Sequence, residues 1–83
     1  MITIYGKSGC GFCAKATSFA KSRNFAYEYK SVETSKHMEE LKEAIPDVRS
    51  VPQIFVYGKH VGGYQDLISY VENTGYTGTG HSL

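Results

Sequence analysis

The sequence predicts an α/β domain in which strands and helices alternate along the first half of the chain. Three β-rich runs, near residues 2–5, 25–32 and 53–57, are separated by segments whose apolar residues recur at helical spacing. With 83 residues the chain is long enough for one domain with a single core. We therefore expect one α/β domain over residues 1–74, followed by a polar, glycine- and threonine-rich tail over residues 75–83 that frays.

The first half of the chain predicts a strand, a helix and a second strand. An alternating run over residues 1–5 ends at a loop of glycine, lysine and serine over residues 6–9. Small and apolar residues at helical spacing predict a helix over residues 12–23, with Asn24 as its stop. Residues 25–32 contain two tyrosines and predict the second strand.

A second helix is predicted to begin at about Ser35, which is a suitable N-cap. Met38, Leu41 and Ile45 fall on one face of that helix, so this face is expected to pack against the core. Pro46 ends the helix, because proline cannot continue the backbone hydrogen bonds.

The second half of the chain predicts a β-hairpin and a last helix. Residues 53–57 form the first strand of the hairpin, Gly58-Lys59 is the expected two-residue turn, and residues 60–62 return as an antiparallel strand. The last helix is expected to begin near Gln65 or Asp66, whose charge suits a helix N-terminus. Its inward-facing residues are predicted to be Leu67, Ile68 and Val71.

Two cysteines, Cys10 and Cys13, stand between the first predicted strand and the first predicted helix. This position places Cys10 at a helix N-terminus, where unpaired backbone N–H groups and the helix dipole favour a thiolate. The thiolate is the form of cysteine that attacks disulfides. Lys7, three residues earlier, adds positive charge. We therefore predict redox chemistry, with Cys10 as the exposed nucleophile and Cys13 as the second thiol.

Other uses of the two cysteines fit the sequence less well than redox chemistry does. A structural disulfide across so short a loop contributes only roughly 2 kcal/mol in the chain-entropy model, and it would not persist in a reducing compartment. A zinc site needs about four ligands, whereas His37, His60 and His81 are isolated in the sequence. No metal site within one chain is predicted, and a disulfide-stapled binding module stays as an alternative.

Composition and charge narrow the range of partners. The net charge is only +1, and the sequence has no stripe of basic residues that could neutralise phosphates. We therefore expect no binding to nucleic acid. The longest apolar run, residues 54–57, is far too short to span a bilayer, and no basic segment followed by an apolar run marks a secretory signal. We expect a cytoplasmic monomer with neither nucleic-acid nor membrane partners.

Three segments of the chain together resemble a glutaredoxin: Cys10-Gly11-Phe12-Cys13, Ser50-Val51-Pro52-Gln53 and Gly62-Gly63-Tyr64-Gln65-Asp66. The resemblance covers almost the whole chain up to the tail. It implies a thioredoxin-like fold, a four-stranded mixed sheet flanked by about three helices, with the first two strands parallel and the last two antiparallel. It also implies a glutathione-dependent thiol–disulfide oxidoreductase that reduces protein disulfides and protein–glutathione mixed disulfides.

The chain departs from the usual patterns of this superfamily in two ways. Thioredoxin itself fits less well, because Gly9 precedes Cys10 and the chain has no Trp. Many dithiol glutaredoxins have Pro-Tyr between the cysteines, whereas Gly11-Phe12 resembles the single-thiol branch that handles iron–sulfur clusters and has Ser in place of Cys13. A [2Fe–2S] carrier, a dimer bridged by two glutathiones, is therefore the alternative function.

The resemblance implies a role for particular residues toward glutathione as co-substrate, with no metal required. Lys7 and Arg49 would meet its glycyl carboxylate. Val51, which precedes a cis Pro52, would pair with its cysteinyl amide through the backbone. The Phe12 ring would pack beside the glutathione sulfur.

The other end of glutathione is implied to lie on the last helix. Gly63, Tyr64, Gln65 and Asp66 would hold the γ-glutamyl group, with helix amides for its carboxylate and the Asp66 side chain for its ammonium. Disulfide-bonded or glutathionylated proteins would be the partners of Cys10 and Cys13, and the resemblance allows ribonucleotide reductase among them.

Overall fold

The computed structural model describes residues 1–76, which form seven regular elements. In chain order these are β1 (Ile2–Gly6), α1 (Gly11–Ser22), β2 (Tyr27–Ser31), α2 (Ser35–Ala44), β3 (Gln53–Val56), β4 (Lys59–Gly62) and α3 (Tyr64–Thr74). The order of strands and helices is the one predicted from the sequence.

The four strands form one mixed sheet in the order β2-β1-β3-β4. β1 and β2 are parallel, whereas β3 runs antiparallel to both of its neighbours, β1 and β4. The parallel pair is joined through α1, because parallel strands need a crossover connection. The thioredoxin-like fold and the strand directions expected from the resemblance are therefore confirmed.

The core is divided between the two faces of the sheet. Ile2 and Ile4 of β1 share one face with Ile54 and Val56 of β3, where Ala16, Ala20, Leu67 and Val71 of α1 and α3 cover them. Side chains alternate along a strand, so Tyr5 and Phe55 lie on the opposite face, where Leu41 of α2 packs against them. Burial on both faces holds β1 rigidly, and β1 leads directly into the loop that carries the cysteines.

Helix boundaries in the first half lie within two residues of the predictions. α1 ends at Ser22, and Asn24 adopts a left-handed conformation with φ 58°, which stops the helix as expected. The N-cap of α2 is Thr34 rather than Ser35, and its last residue, Ala44, comes before Ile45. Ile45 has extended backbone because the residue before a proline avoids helical geometry.

The turn of the hairpin lies one residue earlier than predicted. Tyr57 and Gly58 form the turn, with φ 54° and 78°, and Val56 pairs with Lys59. A tight hairpin turn of this kind needs two central residues with positive φ, and Lys59 instead continues the ladder. The prediction of Gly58-Lys59 as the turn was therefore wrong, because Tyr57 accepts a conformation that sequence propensity disfavours.

The last helix begins earlier than predicted. Gly63 is its N-cap and Tyr64 its first residue, so Asp66 lies in the first turn instead of starting the helix. Leu67 and Val71 are buried as expected, whereas Ile68 is only half-buried.

Gly75 caps the helix with φ 69°, and the ring centroid of Tyr76 lies 5.1 Å from that of Phe25 in the core. Residues 77–83 of the expected tail lie outside the described residues, so the domain boundary stays a prediction.

Candidate active site

Cys10 is the N-cap of α1, and its sulfur meets the first turn of the helix. Its backbone is extended, with φ −93° and ψ 112°, and its Sγ accepts a hydrogen bond of 3.2 Å from the backbone N–H of Cys13. The first N–H groups of a helix have no partner inside the helix, so this amide is available to a sulfur. A backbone donor and the positive end of the helix dipole therefore both face the Cys10 sulfur.

Cys13 lies directly beneath Cys10 and is shielded from solvent. Its exposed fraction is 1%, and neither cysteine is part of a disulfide in this structure. Burial, and then the hydrogen bond with Cys10, raise the pKa of the Cys13 thiol to about 11. The backbone N–H of Lys7 acts in the opposite direction and favours the thiolate. Cys13 is therefore a protonated thiol at neutral pH, while Cys10 is the sulfur that a substrate reaches.

The loop that presents Cys10 is held by Glu33, which follows β2. The Ser8 hydroxyl donates to Glu33 Oε2 at 2.8 Å, and the Ser31 hydroxyl donates to Glu33 Oε1 at 3.1 Å. The bonds from Ser8, followed by the one from Ser31, lower the pKa of the Glu33 carboxyl. Gly9 has φ 79°, a conformation that favours glycine, so the chain can turn sharply into Cys10.

A groove of about 540 Å³ opens between the start of α1, the segment before β3 and the start of α3. Seven residues predicted for the site line this groove: Phe12, Val51, Pro52, Gly63, Tyr64, Gln65 and Asp66. Ser50, Gln53 and Gly62 complete the lining. The groove therefore joins three segments that are distant in sequence.

The Val51–Pro52 peptide bond is cis, as predicted. The Cys10 thiol donates a hydrogen bond of 3.7 Å to the backbone oxygen of Val51. This contact places the sulfur against the edge of the groove, next to the segment that carries Val51.

Lys7 and Arg49 lie beyond the Val51 end of the groove. Both line a smaller depression of about 180 Å³, together with Ser50 and Val51. Because Ser50 and Val51 also line the larger groove, the surface runs from the two cations to the first turn of α3. Both cationic side chains are exposed, so they are available to an anionic ligand.

Phe12 projects from the start of α1, with 53% of its surface exposed. Its ring centroid lies 6.1 Å from that of Tyr64, with the ring planes 33° apart. The ammonium of Lys15 lies 5.1 Å from the Phe12 centroid, which is within the range of a cation–π interaction. The two aromatic rings form one wall of the groove near the cysteines.

Asp66 has a structural contact besides its place in the groove. Its Oδ2 accepts a hydrogen bond of 3.0 Å from the backbone N–H of Gly63 at the start of α3. Gly62, with φ 128°, leaves the space that this carboxylate occupies, because a Cβ on Gly62 would lie 2.8 Å from the Asp66 Cγ. The start of α3 is therefore shaped by a glycine and a carboxylate acting together.

Tyr29 is a residue near the cysteines that the sequence analysis did not single out. It lies on β2 and lines a depression of about 390 Å³ together with Lys7, Cys10 and Thr17. Nothing in the local pattern marks it, since it is one of two tyrosines in a predicted strand. The parallel pairing of Tyr29 with Ile4 brings it beside the cysteine loop.

Residues 1–76 contain no candidate metal site and no candidate membrane-spanning helix. No group of three or more His, Cys, Asp or Glu side chains in this range could hold a metal ion. None of the helices described has the length and apolar character needed to cross a membrane. A [2Fe–2S] cluster held by two chains and two glutathiones stays the alternative predicted from the sequence.

Comparison with known proteins identifies the glutaredoxin family. The glutaredoxin family model matches residues 2–61. Glutaredoxin 1 of Escherichia coli K12 is 34% identical over 76 residues, which cover 83% of this chain and 89% of that protein. A glutaredoxin of Vibrio cholerae is 34% identical over 86 residues, covering 89% of this chain and 94% of that protein.

Solved structures agree with the sequence relatives. The reduced glutaredoxin of Escherichia coli matches with a TM-score of 0.73 at 34% identity, covering 88% of this chain and 94% of that one. A buckwheat glutaredoxin–glutathione complex matches with a TM-score of 0.72 at 20% identity, covering 92% of this chain and 71% of that one. The second likeness shows the fold alone. The family match, together with two thiols at a helix N-terminus, shows that the chain belongs to the glutaredoxin family and is a thiol–disulfide oxidoreductase.

Proposed function

We propose that this protein uses glutathione to reduce protein–glutathione mixed disulfides and protein disulfides, with Cys10 as nucleophile and Cys13 as resolving thiol. The observation that carries the proposal is the groove beside Cys10. It combines a cationic end, a backbone edge and a helix N-terminus along one surface.

Glutathione has chemistry that matches this surface. It is an extended tripeptide with a carboxylate at each end and one ammonium group. Lys7 and Arg49 supply positive charge for the glycyl carboxylate, and the first turn of α3 supplies N–H groups for the γ-glutamyl carboxylate. The Asp66 carboxylate would attract the ammonium. The buckwheat relative of the same fold was solved in complex with glutathione, which supports this ligand class.

The first exchange step uses Cys10 alone. The Cys10 thiolate attacks the glutathione sulfur of a mixed disulfide, and the protein thiol leaves with the electron pair of the broken bond. A glutathione thiolate then attacks the bound glutathione sulfur, releases oxidised glutathione and restores Cys10. Because the Cys10 sulfur lies against Val51, which lines the groove, a glutathione bound in the groove would have its sulfur close to Cys10. Attack by Cys10 on the glutathione sulfur is then favoured over attack on the protein sulfur.

Reduction of a protein disulfide needs the second thiol. Cys10 attacks one sulfur of the substrate and forms a mixed disulfide with it. Cys13 lies one helical turn away and attacks the Cys10 sulfur, which releases the reduced substrate and forms the Cys10–Cys13 disulfide. Glutathione then reduces that disulfide.

Cysteine variants test this division of labour in an assay coupled to glutathione reductase and NADPH. Cys10→Ser should abolish turnover of both a glutathionylated peptide and a protein disulfide. Cys13→Ser should retain removal of glutathione and lose most protein disulfide reduction. Equal loss of both reactions in Cys13→Ser would contradict the assigned roles.

Glutathione specificity is tested by replacing the reductant. 2-Mercaptoethanol lacks both carboxylates and the ammonium, so at equal thiolate concentration it should support turnover far more slowly. Equal rates with the two thiols would refute a glutathione site. The iron–sulfur alternative predicts a coloured dimer after anaerobic reconstitution with iron, sulfide and glutathione, and a colourless monomer would remove it.

A further inference from the structure

Gly6, at the end of β1, has no side chain, and the Cys13 sulfur and the Tyr29 hydroxyl both lie close to the space that a side chain would occupy. A Cβ built on Gly6 would lie 2.9 Å from the Sγ atom of Cys13 and 2.9 Å from the hydroxyl oxygen of Tyr29. The sulfur and the hydroxyl therefore both border the same space, which only a glycine leaves open, and they can be no further apart than twice that distance. They come from different elements, α1 and β2, so the fold creates this juxtaposition.

Tyr29 is far more exposed to solvent than the buried Cys13 thiol. Its side chain is 40% exposed and lines the depression beside Cys10, whereas Cys13 is 1% exposed. Burial, followed by the nearby charges of Cys13, Cys10 and Glu33, raises the pKa of Tyr29. The phenol therefore keeps its proton at neutral pH, and it can donate a hydrogen bond to a sulfur that becomes negative.

Cys13 is buried, so its thiol loses a proton less readily than a thiol in water does. To attack the Cys10 sulfur, it must lose its proton in a site that favours the neutral thiol. The groups that face it are the Cys10 sulfur, Lys7 with its backbone N–H and positive charge, and Tyr29, with Glu33 near Tyr29. Among these, Lys7 favours the thiolate through its backbone N–H and its charge, and the Tyr29 hydroxyl is a side-chain group that can donate a hydrogen bond.

We infer that Tyr29 is a positioning residue for the resolving step, with its hydroxyl donating a hydrogen bond to the Cys13 thiolate. The inference rests on the proposed role of Cys13. In that step the Cys13 sulfur forms a bond to the Cys10 sulfur, and the bond between Cys10 and glutathione breaks. The electron pair leaves with the glutathione sulfur, which takes a proton from solvent. Cys13 is oxidised, the glutathione sulfur is reduced, and the Cys13 proton passes to solvent.

The test separates the two exchange steps in the purified reduced protein. Oxidised glutathione is added, samples are quenched with acid, and mass spectrometry follows first the Cys10–glutathione mixed disulfide and then the Cys10–Cys13 disulfide. In Tyr29→Phe the first step should be unchanged, and the second should slow about tenfold, the effect of losing one hydrogen bond to a charged group. The rise of the second rate with pH should also move to higher pH.

Tyr27→Phe is the matched control, because Tyr27 lies on the same strand and packs against the core cluster. It should leave both steps unchanged. An unaltered second step in Tyr29→Phe, or an equal slowing of both steps, would overturn the inference. Failure of the unaltered protein to form any mixed disulfide with glutathione would instead overturn the proposed function, so the two failures are distinguishable.

Discussion

The Sγ atom of Cys10 accepts a hydrogen bond of 3.2 Å from the backbone N–H of Cys13. The second cysteine thus supports the first through its amide, while its own thiol stays buried and protonated. One turn of helix therefore gives two identical side chains different surroundings, since one sulfur accepts from a helix N-terminal amide and stays partly exposed, whereas the other is buried.

The two thiols should differ strongly in their reaction with an alkylating agent. At neutral pH iodoacetamide should modify Cys10 at least about tenfold faster than Cys13, because alkylation requires an accessible thiolate. Peptide mapping by mass spectrometry at successive times measures both rates. In denaturant the two rates should converge. Faster labelling of Cys13 in the folded protein would contradict the structure.

Stability should depend on the ionisation of Cys13 at alkaline pH. Burial raises the pKa of this thiol from 9.0 to about 11, so the folded protein keeps a proton that the unfolded chain loses first. Protonation of Cys13 therefore contributes about 2 to 3 kcal/mol to the free energy of unfolding. This contribution is complete below about pH 9 and is lost as pH rises toward 11. Cys13→Ala should flatten the fall in the free energy of unfolding over this range. Identical slopes in the two proteins would rule the effect out.

Gly62 and Gly58 offer a matched pair for testing the start of α3. Both have positive φ, but a Cβ on Gly62 would collide with the Asp66 side chain, whereas a Cβ on Gly58 meets nothing within 4 Å. Gly58→Ala should cost about 1 kcal/mol in the free energy of unfolding. Gly62→Ala should cost more, about 2 to 3 kcal/mol, and should also raise the KM for glutathione. Equal losses in chemical denaturation would show that the collision does not occur.

Asp66→Asn separates two roles of this carboxylate. The amide oxygen of Asn can still accept from the Gly63 N–H, so the melting temperature should change little. The negative charge is lost, so the KM for glutathione should rise about tenfold if the carboxylate meets the ammonium. Glu72→Gln, an exposed change near the other end of the same helix, is the control and should leave the KM unaltered. A similar KM in both variants would argue against contact with the ammonium.

Much of the fold was predictable because its signals are local. Hydrophobic spacing marked the helices, Pro46 marked the end of the second helix, and β-rich runs marked the strands. The predictions were wrong at the ends of elements, where the observed backbone conformation is not the one that residue type alone favours. Tyr57 adopts φ 54° at the hairpin turn, and the last helix begins at Tyr64, after Gly63 as N-cap, rather than at Gln65 or Asp66.

The sequence by itself determined the place of Cys10, since a side chain that precedes a helix meets the unpaired N–H groups of its first turn whatever surrounds it. Only the tertiary structure decided which groups surround those thiols. Pairing of β2 with β1 brings Tyr29 to Cys13 and Glu33 to Ser8, and the turn into β3 brings Val51 to Cys10. These contacts join residues far apart in the chain, so they depend on strand pairing and packing, which no local pattern encodes.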